Sequence, residues 1–146
     1  MTARTGQCLC TRITYSLSSA AKPFYNTVCH CLNCQKWTGT AFYTAIICPK
    51  EGFQLLSGAE YQKTYQDTAT DSGSSLRRIF CSECGTNLFA LTPLWDGIIS
   101  VAAGTLDDFH SWKPDTEQWC IHRADWLAKV QAVDEQRTFD KAVTRS

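Results

Sequence analysis

Cys29-His30-Cys31-Leu32-Asn33-Cys34 sets three thiols within six residues, and the fold is read outward from it. Upstream stands Cys8-Leu9-Cys10 and downstream Cys81-Ser82-Glu83-Cys84, so seven of the nine cysteines fall in three tight clusters. Thiolates one or two residues apart converge on a single cation, and four of them close a tetrahedral zinc site. In extended chain the two outer residues of C-x-C share a face and the middle one points away. Cys8 and Cys10 therefore make a half-site on a strand, and Cys81 and Cys84 a half-site on a tight knuckle. Together they form a closed, four-thiolate site joining the start of the chain to its middle. The competing reading is a set of reduced core thiols or a disulfide. Structural zinc contributes roughly 10–16 kcal/mol in small modules, against a domain stability of about 5–15 kcal/mol, so losing such a site should unfold the chain.

Cys29, Cys31 and Cys34 combine both spacings and meet one ion without distant help. His30, between the first two, points the other way in extended chain and is read as a strand residue facing elsewhere. Cys48, Cys120, His110 or His122 could supply a fourth ligand. If none does, the open position takes water or a substrate thiolate. Three thiolates leave zinc electron-rich, so its bound water is less acidic than at a three-histidine site. A sulfur-rich zinc favours another sulfur as ligand, which points to thiol chemistry rather than hydrolysis.

The remainder of the chain describes a globular setting for these sites. Its 146 residues suit a single domain, 1–146, with 44% apolar and 19% charged residues. Lys+Arg and Asp+Glu both number 14, so no global field attracts nucleic acid or an anionic membrane. No secretory signal opens the chain, and the longest apolar run, Ala41 to Cys48, is too short to span a bilayer. The odd cysteine count argues against a complete disulfide framework, so a reducing, cytoplasmic or nuclear setting is expected.

Short β-branched and aromatic runs between turn signals predict a mainly β fold. The expected strands are Arg12–Leu17, Phe24–Cys29, Ala41–Cys48, Gly52–Ser57, Tyr61–Gln66, Leu76–Phe80, Asn87–Leu91, Ile98–Ala102 and Gln118–His122. In the first of these Ile13, Tyr15 and Leu17 share a face. Helix is expected only in a short turn after Cys34 and in the tail from Ala124 to about Val133. Asp67 to Ser75 reads as an exposed polar loop.

Gly6-Gln-Cys8-Leu-Cys10, Cys29-His-Cys31-x-x-Cys34, Phe80-Cys81-x-x-Cys84-Gly85-Thr86, Gly104-Thr-Leu-Asp-Asp108 and Arg123-Ala-Asp-Trp126-Leu127 follow one another in an ordered set. In these the chain resembles the glutathione-dependent formaldehyde-activating enzyme family, which also includes the domain of centromere protein V. The resemblance covers residues 6–127 and leaves 128–146 as a C-terminal tail. It implies a β-tent-like, zinc-stapled fold with a structural zinc on Cys8, Cys10, Cys81 and Cys84. It also implies a second, exchangeable zinc on Cys29, Cys31 and Cys34, which would be the catalytic residues. The implied activity is that of a zinc-dependent carbon–sulfur lyase of the S-(hydroxymethyl)glutathione synthase type. Its partners would be a small thiol, glutathione, and an electrophilic carbonyl. The alternative is a zinc-stapled binding or scaffold module; a redox or metal-buffering role is a third reading.

Some family members carry arginine directly after the third cysteine of the second site, where this chain has Gln35 followed by Lys36. Lys36 and Arg123 are the expected contacts for a substrate carboxylate. Of Arg77 and Arg78, one should face each side of a strand; an anion such as glutathione could use one of them, but a solvated strand face is favoured. His122 and Glu117 are the nearest acid–base candidates, although lone residues of these types in a strand are more often structural. Trp95, Trp112, Trp119 and Trp126 are read as core and pocket wall, and Cys48 and Cys120 as core thiols.

Overall fold

A computed structural model of the chain describes residues 3–144. Twelve regular elements, eleven strands and one α-helix, stand among the described residues: β1 (Arg4–Gln7), β2 (Thr14–Leu17), β3 (Tyr25–Cys29), α1 (Leu32–Thr38), β4 (Tyr43–Pro49), β5 (Phe53–Ser57), β6 (Gln62–Asp67), β7 (Leu76–Cys81), β8 (Asn87–Leu91), β9 (Ile98–Ala102), β10 (Thr116–Gln118) and β11 (Arg137–Thr138). The mainly β expectation is borne out. β1, β2 and β5 form a small sheet, and the others a large one in the order β11-β10-β3-β4-β9-β8-β7-β6. The large sheet is antiparallel except that β10 runs parallel to β3 and β11.

Register assigns each face of the large sheet its task, because directly paired residues share a face and chain neighbours do not. Ile46 opposes Val101, Val101 opposes Phe89 and Phe89 opposes Ile79, so these four line one face. That face meets Ile13, Tyr15 and Leu17, all buried as their alternation predicts. Tyr15 lies between Phe53 and Phe89, at ring-centroid distances of 5.8 and 5.3 Å. Its hydroxyl bonds to Thr105 Oγ1 at 2.7 Å. Gly6, opposite Tyr15, is required by this packing, since a Cβ there would stand 2.2 Å from the Tyr15 hydroxyl. One residue over, Tyr25, Ile47, Ser100, Ala90 and Arg78 form a second row on the opposite face.

Several local expectations change. Arg4–Gln7 is a strand that the polar sequence did not announce. The expected strand over 118–122 is instead Thr116–Gln118, because Trp119 turns left-handed at φ 55° and Cys120–His122 curl into a 3-10 turn. No helix stands between Ala124 and Val133, where Val130 takes a tertiary partner. Val130 N–H donates to the Glu117 carboxylate at 3.4 Å, and Phe139 N–H to the Glu117 carbonyl at 2.9 Å. The short helix starts at Leu32, before Cys34, and Gly39 closes it at φ 65°.

Candidate metal centres and the pocket beside them

Cys8 and Cys10 lie just beyond the end of β1 in a turn and not on the expected strand, because Thr11 N–H bonds back to the Cys8 carbonyl at 3.0 Å; Cys81 ends β7 and Cys84 follows on a knuckle. Their four sulfurs all lie within 4.8 Å of one another. Cys8 and Cys10 are 3.6 Å apart, Cys10 and Cys81 3.7 Å. A tetrahedron with zinc–sulfur bonds of about 2.3 Å has edges near 3.8 Å, so this donor set fits zinc. Ile13 N–H donates to Cys8 Sγ at 3.3 Å, and Leu9 N–H reaches Thr86 Oγ1 at 3.0 Å, tying the two half-sites together. In the knuckle, Gly85 takes φ 75° while its N–H bonds to the Cys81 carbonyl at 2.9 Å. Burial opposes ionisation of Cys84, but bonds from Thr86 and nearby N–H groups outweigh it and bring its thiol down to about 6.

The second cluster sits on the other face of the large sheet. Cys29 ends β3, and Cys31 caps α1 by accepting the Cys34 N–H at 3.1 Å. All three sulfurs lie within 4.8 Å of one another, with Cys34 and Cys29 at 3.7 Å, which again matches a tetrahedral edge. Bonds with Cys29 and Cys34 hold Cys31 as the thiolate, lowered to about 3, and push both partners up. Of the distant ligands considered, Cys48 lies in the main core cluster, and neither His110, Cys120 nor His122 joins this group. All nine cysteines are free thiols.

His30 faces away from the cysteines, as extended chain requires. It is fully buried, as is Glu117, and its Nε2 bonds to the Glu117 carboxylate at 2.7 Å. Nε2 carries the proton there, since an ionised carboxylate only accepts. The guanidinium of Arg123 closes on the same carboxylate at 2.6 Å. Burial raises the Glu117 carboxyl, yet bonds from Arg123 and His30 prevail and leave it below the usual range. Gln35, where relatives can have arginine, donates to the carbonyls of His30 and His122, both at 3.0 Å. These contacts fasten the cysteine turn to β10 and the segment after it.

A cavity of about 210 Å³ opens from the three-cysteine cluster, with Cys29, Cys31 and Cys34 in its wall. Lys36 is exposed on α1 and Arg123 is held by Glu117, so neither lines it. The cation that does is Arg78, which corrects the solvated-face reading for that residue. Arg78 is buried, bonds to Asp67 at 2.9 Å and lies over Trp37 at 5.5 Å. Asp67 is buried in turn, rather than part of an exposed loop, and accepts from Asn33 at 2.9 and 3.0 Å. Burial raises its carboxyl, but bonds from Asn33 and Arg78 bring it below the usual range. Trp95 and Trp119 line the cavity and Trp112 is core, whereas Trp126 is 78% exposed. Sequence reasoning missed the Asn33–Asp67–Arg78 chain; its signal was an acid and a base on adjacent strands, which only the hairpin pairing makes neighbours.

The chain is thus a mainly β fold with two cysteine clusters that could hold zinc, one beside the knuckle after β7 and one opening on a cavity. Residues 3–122 match the model of the glutathione-dependent formaldehyde-activating enzyme family, and the chain belongs to that family. A protein of Halomonas elongata, provisionally named a glutathione-dependent formaldehyde-activating enzyme, is 24% identical over 135 residues, 92% of this chain and 85% of that protein. The crystal structure of a Rhodobacter sphaeroides protein, a structural genomics target, shares the fold. It aligns at a TM-score of 0.53 and 17% identity, covering 71% of this chain and 88% of that one. Among the described residues no helix is long and apolar enough to cross a membrane.

Proposed function

We propose that the chain is a zinc-dependent carbon–sulfur lyase that makes and breaks adducts between glutathione and a carbonyl carbon. The observation that carries this reading is the asymmetry of the clusters: four thiols close on one another at the edge of the core, while three open onto a cavity. Cys8, Cys10, Cys81 and Cys84 would hold a structural zinc, and Cys29, Cys31 and Cys34 a second one. Zinc bound by three thiolates supplies an open position that favours a further thiolate.

The chain's own residues do the rest. Cys31, capped by the Cys34 N–H, and its two neighbours fix the place where the incoming sulfur stands. Arg78, held by Asp67, sets a positive charge beside them and offsets part of their negative charge. Tyr43 is paired directly opposite Cys29 and lines the same cavity; burial keeps its phenol protonated. It would give a hydrogen bond to the oxygen that gains charge when sulfur attacks the carbonyl carbon. The apolar cavity excludes water from the adduct.

The test is the rate of adduct formation from glutathione and formaldehyde, followed by exchange NMR with the zinc-loaded chain. Acceleration over the uncatalysed rate should disappear in Cys31→Ser and persist in Cys48→Ser, whose thiol lies in the core. Full acceleration in Cys31→Ser would refute the assignment.

A further inference from the structure

The cavity beside Cys29, Cys31 and Cys34 is larger and less polar than formaldehyde requires. Its floor is the second row of the large sheet, where Ala90 and Ser100 stand side by side, with Ala45 and Thr27 on neighbouring strands. Its walls carry the large apolar side chains of Tyr25, Ile47, Leu91, Trp95, Ile98 and Trp119, together with polar ones, among them Thr70, Ser72, Thr92 and Gln118. Small residues in mid-strand, ringed by aromatic and branched ones, leave a hollow where a sheet face would otherwise pack solid. About 150 Å³ of apolar cavity suffices for benzene, and this one measures about 210 Å³. Formaldehyde has two non-hydrogen atoms and would leave most of it unfilled.

Its charges do not suit glutathione either. Arg78 and Asp71 are the ionic side chains in the described lining besides the cysteines, and each already has a partner. Arg78 bonds to Asp67 at 2.9 Å and Asp71 faces His122 at 3.5 Å. The two carboxylates and the ammonium group of glutathione would lose water there without gaining a free charged partner. A peptide held by its sulfur at the cysteines would leave the hollow to the other reactant.

We propose that this other reactant is an aldehyde with an apolar body of about six to ten non-hydrogen atoms, aromatic or branched, a size set by the benzene comparison. The inference rests on the thiol-adduct reading above and assigns its carbonyl substrate. The step is balanced without an oxidant. The sulfur lone pair forms the C–S bond, the carbonyl π pair moves to oxygen, and the proton lost by the thiol ends on that oxygen. The reverse step restores thiol and aldehyde.

Benzyl alcohol tests the site without forming a bond, because Trp95 and Trp119 in the wall report its arrival by fluorescence. The zinc-loaded chain should show saturable binding that excess glutathione leaves unchanged. Ala90→Leu, which fills the floor, should weaken it about tenfold or more, the worth of one buried apolar side chain. Should circular dichroism show Ala90→Leu unfolded, Trp95→Ala removes a wall instead and should weaken binding by a similar factor. With glutathione present, phenylacetaldehyde should be accelerated over its uncatalysed reaction ten- to a hundredfold more than formaldehyde is. Absence of benzyl alcohol binding, competition by glutathione, or equal binding by the folded variant would each overturn the substrate assignment. Those results together with an intact glutathione complex in native mass spectra would overturn it alone. Absence of that complex would overturn the thiol reading beneath it.

Discussion

Replacing Glu117 by alanine should loosen the cysteine turn from behind. Glu117 is fully buried, and its carboxylate meets His30 Nε2 at 2.7 Å and Arg123 Nη2 at 2.6 Å. Removing it strands a buried imidazole N–H and leaves the Arg123 guanidinium without its partner. Breaking a buried ion pair from one side costs about 3–5 kcal/mol. In a chain of this size each kcal/mol moves the melting midpoint by roughly 2–4 °C, so a drop on the order of 10 °C is expected. Glu117→Gln keeps the shape and an acceptor for Arg123 but loses the charge; it should cost about 1.5–3 kcal/mol, the worth of a charged hydrogen bond. Because His30 lies between Cys29 and Cys31, zinc at the second cluster should also dissociate faster in both variants. Urea denaturation at unchanged slope gives the energies, and a chromogenic chelator gives the release rate. Destabilisation below about 1 kcal/mol in Glu117→Ala, with unaltered zinc release, would refute the reasoning.

Further outcomes follow from other contacts. The Asp67 carboxyl is held below its unfolded value of about 3.9, so its contribution is present above that pH and is lost as pH falls through the depressed folded value. Asp67→Asn should be less stable than the parent at pH 7, with the difference shrinking below about pH 4; a difference independent of pH would contradict the pairing with Arg78. Gly85 stands at φ 75°, and a Cβ added there would meet no atom within 4 Å, so Gly85→Ala faces backbone strain alone. It should lose about 1–2 kcal/mol in urea denaturation, and no loss would contradict the left-handed knuckle.

The sequence made the cysteine geometry legible because sulfur spacing is a local property. Ligands one or two residues apart bring their sulfurs together almost regardless of what surrounds them, which is why Cys8 and Cys10 meet although they stand in a turn after β1 and not on the expected strand. Alternation likewise revealed the buried face of Ile13, Tyr15 and Leu17, since β2 has one face on the core. Arg78 shows where local reading stops. Its neighbours Arg77 and Ile79 do not tell which face meets solvent; pairing with Ala90 puts it on the cavity face, and the β6–β7 hairpin brings Asp67 to it. The hollow was hidden for the same reason. Ala45, Ala90 and Ser100 lie on three separate strands and become one floor only through register. In the tail, Ala124 to Val133 contains good helix formers, but β10 offers its backbone better partners, as Val130 at Glu117 shows.

The central claim is that one cluster is a closed structural site and the other an open, thiol-accepting one. Native mass spectrometry of the reduced, freshly purified chain, with and without glutathione, tests it most directly. The account predicts two zinc ions per chain and a glutathione complex, with Cys34→Ser losing the complex and the second zinc while retaining the first. A single zinc in the parent chain, or a glutathione complex that survives in Cys34→Ser, would contradict it.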